Sequence, residues 1–129
     1  MIVGTGVDLV RTERIRRLLQ RFPERFPRRI CSEDEWVEWQ RVTPRVAWLA
    51  KRFAVKEATA KALGTGFRHG IGYQDIVTTH DALGAPALHL VGAASRRASE
   101  LGVSAHHVSI SDERDLAIAF VVFEGTRQA

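Results

Sequence analysis

The first ten residues alternate. Val3, Thr5, Val7 and Leu9 share one side of an extended chain, and Ile2, Gly4, Gly6, Asp8 and Val10 share the other, which is the period-two pattern of a strand over residues 2–10. The period then changes. Ile15, Leu18, Leu19 and Phe22 recur at three- and four-residue steps, predicting a helix that Thr12 can cap and Pro23 stops. Ser32-Glu33-Asp34-Glu35 has the serine and the third-position glutamate of a capping box, opening a second helix that carries Trp36 and Trp39. After Pro44 a long helical segment runs from Arg45 to Leu63. It ends at Gly64-Thr65-Gly66, because glycine readily takes the left-handed conformation past a helix end.

The second half is mixed. Ile71 to Thr79 and Ala87 to Val91 read as strands around an Ala82-Leu83-Gly84 turn, and Gly92 to Leu101 suits a helix. His107 to Ser111 and Leu116 to Glu124 read as two closing strands. Asp112 to Asp115 joins them tightly enough for an antiparallel hairpin. The pattern predicts an α+β fold, a mainly antiparallel sheet packed against helices that include one long central helix.

Composition narrows this. At 129 residues, 45% apolar and 26% charged, the chain suits one globular domain over 1–129, with no internal repeat or linker. No apolar run approaches the roughly 18 residues of a membrane helix, so no membrane partner is expected. The start, Met1 to Asp8, lacks the positive region of a secretory signal. The single cysteine, Cys31, has no internal partner, which fits a reducing, cytoplasmic setting. Net charge is only +4, but eight arginines lie between Arg11 and Arg29 against Glu13 and Glu24 alone. A field that dense suits an acidic partner. A nucleic-acid-binding module is the main alternative, although only Phe22 and Phe26 are interleaved there and no recognised binding motif is present.

Candidate chemistry starts on the central helix. Ala50, Phe53, Ala54, Glu57, Ala58 and Lys61 share one face by helical spacing, so two charges interrupt a stripe of small and apolar residues. Glu57 and Lys61 can simply pair at i,i+4 on an exposed face. Partial burial would instead require each to be paired or bound to something. Asp8 follows Gly-Thr-Gly-Val on the same strand face as Gly4 and Gly6. It can be a cap or turn former, or it can join Glu57 in a two-carboxylate site for a hard cation such as Mg2+, which often takes one or two protein carboxylates and completes its shell with waters and substrate phosphate. Gly64-Thr65-Gly66 can be a helix terminus alone or a loop whose backbone approaches a phosphate. The five histidines do not form a metal site by spacing. Trp36, Trp39 and Trp48 read as core or interface anchors, and Cys31 as inert.

Taken together, Gly4-Thr5-Gly6-Val7-Asp8-Leu9-Val10 with Arg14-Ile15, then Arg52-Phe53-Ala54-Val55-Lys56-Glu57-Ala58 through Lys61-Ala62-Leu63-Gly64-Thr65-Gly66, then His107-Val108-Ser109-Ile110-Ser111 and Leu116-Ala117-Ile118-Ala119 resemble the small, bacterial-type holo-acyl-carrier-protein synthases. The match is ordered and spans nearly the whole chain. The resemblance implies transfer of the 4'-phosphopantetheine arm of coenzyme A to a serine of an apo acyl carrier protein, releasing adenosine 3',5'-bisphosphate, in fatty acid biosynthesis. It implies that Asp8 and Glu57 hold Mg2+ and that Lys61 contacts the transferred phosphate; with no histidine convincingly placed, the expected acceptor of the serine proton is a metal-bound water, or Glu57 through it. Arg52, the Gly64-Thr65-Gly66 loop and Pro86 in the Gly84-Ala85-Pro86 turn would seat the coenzyme. Arg14, Arg17 and Arg21 would dock the acidic carrier. Members of this family form homotrimers with active sites between subunits. Many also carry lysine where this chain has Ala85, and histidine where it has Asp112.

Overall fold

A computed structural model of the chain describes residues 1–126. Strand β1 (Ile2–Arg11) leads into helices α1 (Thr12–Arg21), α2 (Arg25–Ile30), α3 (Glu33–Trp39) and the long α4 (Arg45–Ala62). A 3-10 turn (Tyr73–Asp75) precedes β2 (Ile76–His80) and β3 (Pro86–Leu90). Helix α5 (Gly92–Glu100) and the hairpin β4 (Val103–Glu113) and β5 (Leu116–Gly125) close the chain. All pairings are antiparallel. They form a three-stranded sheet in the order β1-β5-β4 and a two-stranded sheet β2-β3. The α+β architecture around one central helix is as the pattern predicts.

Four local expectations change. Thr12 does not cap α1. Arg11 occupies the cap position without a side-chain bond, and the Thr12 hydroxyl instead donates to the Arg114 carbonyl at 3.3 Å. Helix α2 escaped the reading because Pro27 sits inside its six residues. Proline is tolerated there because the first turn of a helix has no intrahelical use for its N–H. The segment after Ile71 becomes strand only at Ile76, since Asp75 Oδ2 accepts from the Gly72 amide at 3.2 Å and closes a tight turn. The closing strands are longer than predicted and pair from Val103 to Glu113. The Ser32–Glu35 capping box forms as read, with the Glu35 amide donating to Ser32 Oγ at 3.3 Å and the Ser32 amide to Glu35 Oε1 at 3.0 Å.

The core lies between α4 and the inner face of the three-stranded sheet. Ala50, Ala54, Ala58 and Ala62 form a low ridge at four-residue spacing on α4, and all are buried. Gly4 and Gly6 pack onto that ridge. A Cβ on Gly6 would lie 1.8 Å from the Ala58 carbonyl oxygen, and one on Gly4 would lie 2.3 Å from that of Ala62. Only glycine permits an approach this close. Ala117, Ala119, Val121 and Phe123 of β5 complete the inner face, and all are sealed from water. The side of β1 carrying Val7 and Leu9 faces outward, with these residues 50% and 60% exposed.

Candidate active site

The Gly-on-Ala contact brings the end of β1 against α4 one residue from Glu57 and two from Asp8. Lys61 reaches across this junction. Its Nζ donates to Asp8 Oδ1 at 3.1 Å and to the Val7 carbonyl at 2.9 Å. The Asp8 side chain is largely buried and that of Lys61 about half exposed. Glu57 is partly buried and accepts from the Tyr73 hydroxyl at Oε1, at 2.9 Å. The simple i,i+4 pairing of Glu57 with Lys61 is therefore not what forms. Each charge bonds instead to a group distant in sequence.

Tyr73 was not singled out from the sequence. Its ring stacks on Phe67 and Phe53, with centroids 4.0 and 5.7 Å away. Burial, and secondarily the bond to Glu57, push its hydroxyl up to about 12, so it keeps its proton and remains a donor at neutral pH. The sequence reading also missed the buried pairing of Lys56 with Glu35 and the burial of Arg52. Lys56 has no exposed surface. Its Nζ contacts Glu35 Oε1 at 2.8 Å and donates to the carbonyls of Tyr73, at 2.9 Å, and Ile76. Burial lowers the proton affinity of Lys56 and Glu35 opposes that. One signal was present: Lys56 interrupts the stripe Leu49, Phe53, Ala60 and Leu63, which keeps helical spacing.

The remaining sequence-derived candidates fall in three other places. Gly64 and Gly66 have φ of 78° and 61°, and the Gly66 amide donates to the Ala60 carbonyl at 3.1 Å, so the loop is a helix terminus. Arg97 Nε also donates to the Leu63 carbonyl at 2.9 Å, putting a cation at the negative end of α4. Gly64 and Thr65 line a polar cavity of about 440 Å³ with Arg68, Arg96 and Arg97. Arg52 and Pro86 line a different cavity of about 300 Å³, together with Trp48, Gly84 and Asp112. Arg52 and Lys61 are nine residues apart on α4 and so point about half a turn away from each other, at roughly 100° per residue. Arg52 is nearly buried, bonded to Glu38 at 3.2 Å and lying 4.1 Å over the Trp48 ring.

A groove of about 280 Å³ opens between α1, α2 and α4. It has Leu18, Phe22, Phe26 and Phe53 for an apolar lining and Arg14, Arg25 and Arg29 as charges. Of the three arginines read from the sequence as a docking face, only Arg14 lines it. Arg17 pairs with Glu13 at 3.4 Å, and Arg21 lies over the Phe22 ring. Arg25 and Arg29 were missed because α2 was missed.

Among the described residues no three histidine, cysteine or acidic side chains cluster as a metal site. Asp8 and Glu57 stand on the strand and the helix that the Gly6–Ala58 contact joins, each offering hard carboxylate oxygens, with Lys61 bonded to the first. That fits magnesium, which keeps several waters and relies on substrate phosphate. His69, His80 and His89 are exposed, as read. Burial, and after it the nearby Glu35, push the Cys31 thiol up to about 12, so it carries no thiolate at neutral pH. No helix among the described residues is long and apolar enough to cross a membrane.

Comparison with known proteins shows the family. Residues 4–121 match the family model of the 4'-phosphopantetheinyl transferase superfamily. The holo-(acyl-carrier-protein) synthase of Nitrosospira multiformis is 48% identical over 124 residues, covering 96% of this chain and 99% of the relative. The crystal structure of the synthase from Neisseria meningitidis superposes with a TM-score of 0.91 at 44% identity, covering 96% of this chain and 99% of that one. The synthase of Bacillus anthracis, solved in complex with coenzyme A (3',5'-ADP), superposes with a TM-score of 0.78 at 33% identity, over 98% and 99% of the two chains. A family model matched over residues 4–121, with relatives 44–48% identical across nearly the whole chain, makes this protein a member of the holo-(acyl-carrier-protein) synthase family of 4'-phosphopantetheinyl transferases.

Proposed function

We propose that the chain transfers the 4'-phosphopantetheine arm of coenzyme A to a serine of an apo acyl carrier protein, with Mg2+ held by Asp8 and Glu57. The observation that carries the reading is the β1–α4 junction, where Lys61 bonds to Asp8 and Gly6 packs on Ala58, the residue after Glu57. In the reaction the serine oxygen bonds to the phosphorus next to the pantetheine, and the bond from that phosphorus to the bridging oxygen breaks. Adenosine 3',5'-bisphosphate leaves with that electron pair. Magnesium, when bound, supplies charge stabilisation to the pyrophosphate oxygens and orients them.

The protein's own residues do the rest. A half-exposed pair such as Lys61 with Asp8 is worth at most about 1 kcal/mol, so Lys61 can leave Asp8 and place its ammonium on the transferred phosphate. Glu57 is the acceptor of the serine proton, through a water. The Gly64-Thr65-Gly66 loop, with its arginine-lined cavity, seats phosphate groups of the coenzyme. Arg52 and Pro86 seat the nucleotide end from a different face.

That separation favours a site shared between copies. One subunit would present Asp8, Glu57 and Lys61, and its neighbour Arg52 and the Pro86 turn. An exposed apolar face supports the assembly. Val7, Leu9, Leu116, Ile118 and Phe120 stand on the outer side of the sheet, with Val7 paired to Phe120 and Leu9 to Ile118. A contiguous patch of this kind marks an interface. We read it as the contact of a homotrimer. The groove of Arg14, Arg25 and Arg29 over phenylalanines suits an acidic, partly apolar carrier helix, with Arg17 and Arg21 adding charge nearby. We place the reaction in the cytoplasm, in fatty acid biosynthesis, where a buried unpaired Cys31 stays reduced. Family membership leaves the nucleic-acid-binding alternative without support.

The test is direct. The protein is incubated with coenzyme A, magnesium and an apo carrier protein, and the carrier is weighed. Gain of the phosphopantetheine mass only when magnesium is present supports the reading, and an unchanged carrier mass contradicts it.

A further inference from the structure

Glu57 has one hydrogen-bond partner among the described residues, the Tyr73 hydroxyl, 2.9 Å from Oε1. That tyrosine is itself fixed at both ends. Its ring stacks on Phe67 and Phe53, and its carbonyl accepts from Lys56, whose Nζ is locked to Glu35 in the core. Such fixing matters for a glutamate ligand. Its side chain has several free torsions, and any left loose must be ordered when a cation binds, at a cost in affinity. A hydrogen bond from an anchored donor to one carboxylate oxygen sets the plane of the group and leaves the other oxygen to the ion. Partners of this kind govern metal affinity nearly as much as the ligands do.

We propose that Tyr73 is a positioning residue for the cation site: its hydroxyl orients the Glu57 carboxylate so that Oε2 faces the divalent ion, and the buried Lys56–Glu35 pair holds the tyrosine in register. This deepens the assignment of Asp8 and Glu57 as cation ligands and rests on it. The tyrosine acts through Glu57 and touches no reacting atom. A purely structural role would show in stability, whereas a positioning role shows in cation affinity.

The experiment measures Mn2+ binding, by the loss of its free electron-paramagnetic-resonance signal, to the full chain without coenzyme or carrier. Wild type, Tyr73→Phe and Glu57→Gln are compared, with urea unfolding of each. Phenylalanine keeps both ring stacks and the backbone bond to Lys56, so Tyr73→Phe should unfold at nearly the wild-type urea concentration. It should bind Mn2+ roughly 10- to 100-fold more weakly. Tyr73→Phe affinity within twofold of wild type, with Glu57→Gln impaired, would overturn the positioning role and leave the ligand assignment standing. Glu57→Gln binding as tightly as wild type would overturn both.

Discussion

Lys56 Nζ lies 2.8 Å from Glu35 Oε1 with almost none of either side chain exposed. Two charges taken from water are tolerable because each has further partners: two backbone carbonyls for the lysine, the Ser32 amide for the glutamate. Arg52 Nε faces the second glutamate oxygen at 3.5 Å, too far and poorly aligned for a hydrogen bond. That asymmetry gives a prediction. Glu35→Ala leaves Lys56 as a buried cation without its carboxylate and Arg52 with Glu38 alone, and should lose about 3–5 kcal/mol. Lys56→Met leaves Glu35 with its cap amide and Arg52 and should lose less. Urea unfolding of the two variants checks the order, and equal losses would mean that Arg52 does not share the charge.

The strand–helix contact that delivers Asp8 makes a second prediction. Gly6→Ala puts a methyl 1.8 Å from the Ala58 carbonyl, with rigid backbone on both sides. Overpacking of this kind costs roughly 1–3 kcal/mol or more. Gly66→Ala has nothing within 4 Å and only its φ of 61° against it, about 1 kcal/mol. Thermal unfolding should rank Gly6→Ala well below Gly66→Ala.

These two cases show what the sequence could and could not yield. Alternation across residues 2–10 placed Gly4, Gly6 and Asp8 on one face, and helical spacing placed Glu57 and Lys61 together on another, so the membership of the glycine face that meets α4, and of the helix face that carries Lys61 to Asp8, was legible from periodicity. Which face of β1 is buried was not legible. Hydrophobicity alone would turn Val7 and Leu9 inward, yet the helix sits on the glycines because alanines oppose them. The pairing of Lys56 with Glu35 and of Tyr73 with Glu57 was illegible for another reason: these partners lie 16 to 21 residues apart, and although Lys56 visibly interrupts an apolar stripe, no local pattern names its partner. Helix α2 is too short for its period to emerge around Pro27.

Carrier docking is tested by charge reversal in the groove. Arg14→Glu with Arg25→Glu should raise the KM for carrier protein by 10-fold or more, since like charges facing an acidic partner cost several kcal/mol. The KM for coenzyme A should stay near wild type. Arg17→Glu, outside the groove, should have the smaller effect. An unchanged carrier KM in the double variant removes the groove from docking.

The outer sheet face makes a prediction about assembly. Phe120, 46% exposed, stands opposite Val7 on that face, and Phe120→Glu would bury a charge wherever copies meet there. Sedimentation should show a trimer for wild type and a monomer for the variant, with transfer activity lost alongside. A monomeric wild type would remove the shared-site reading.

The central claim is that Asp8 and Glu57 grip one divalent ion at the site of transfer. It is tested most directly by turnover of Asp8→Asn and Glu57→Gln at saturating magnesium and coenzyme A, read as mass added to the apo carrier. Each neutral amide keeps the shape and removes a charged ligand, which is worth several kcal/mol of transition-state stabilisation, or about 100-fold or more in rate. Losses of that size in both variants, with unfolding midpoints near wild type, are the predicted result. Near-wild-type turnover by either variant would contradict the account.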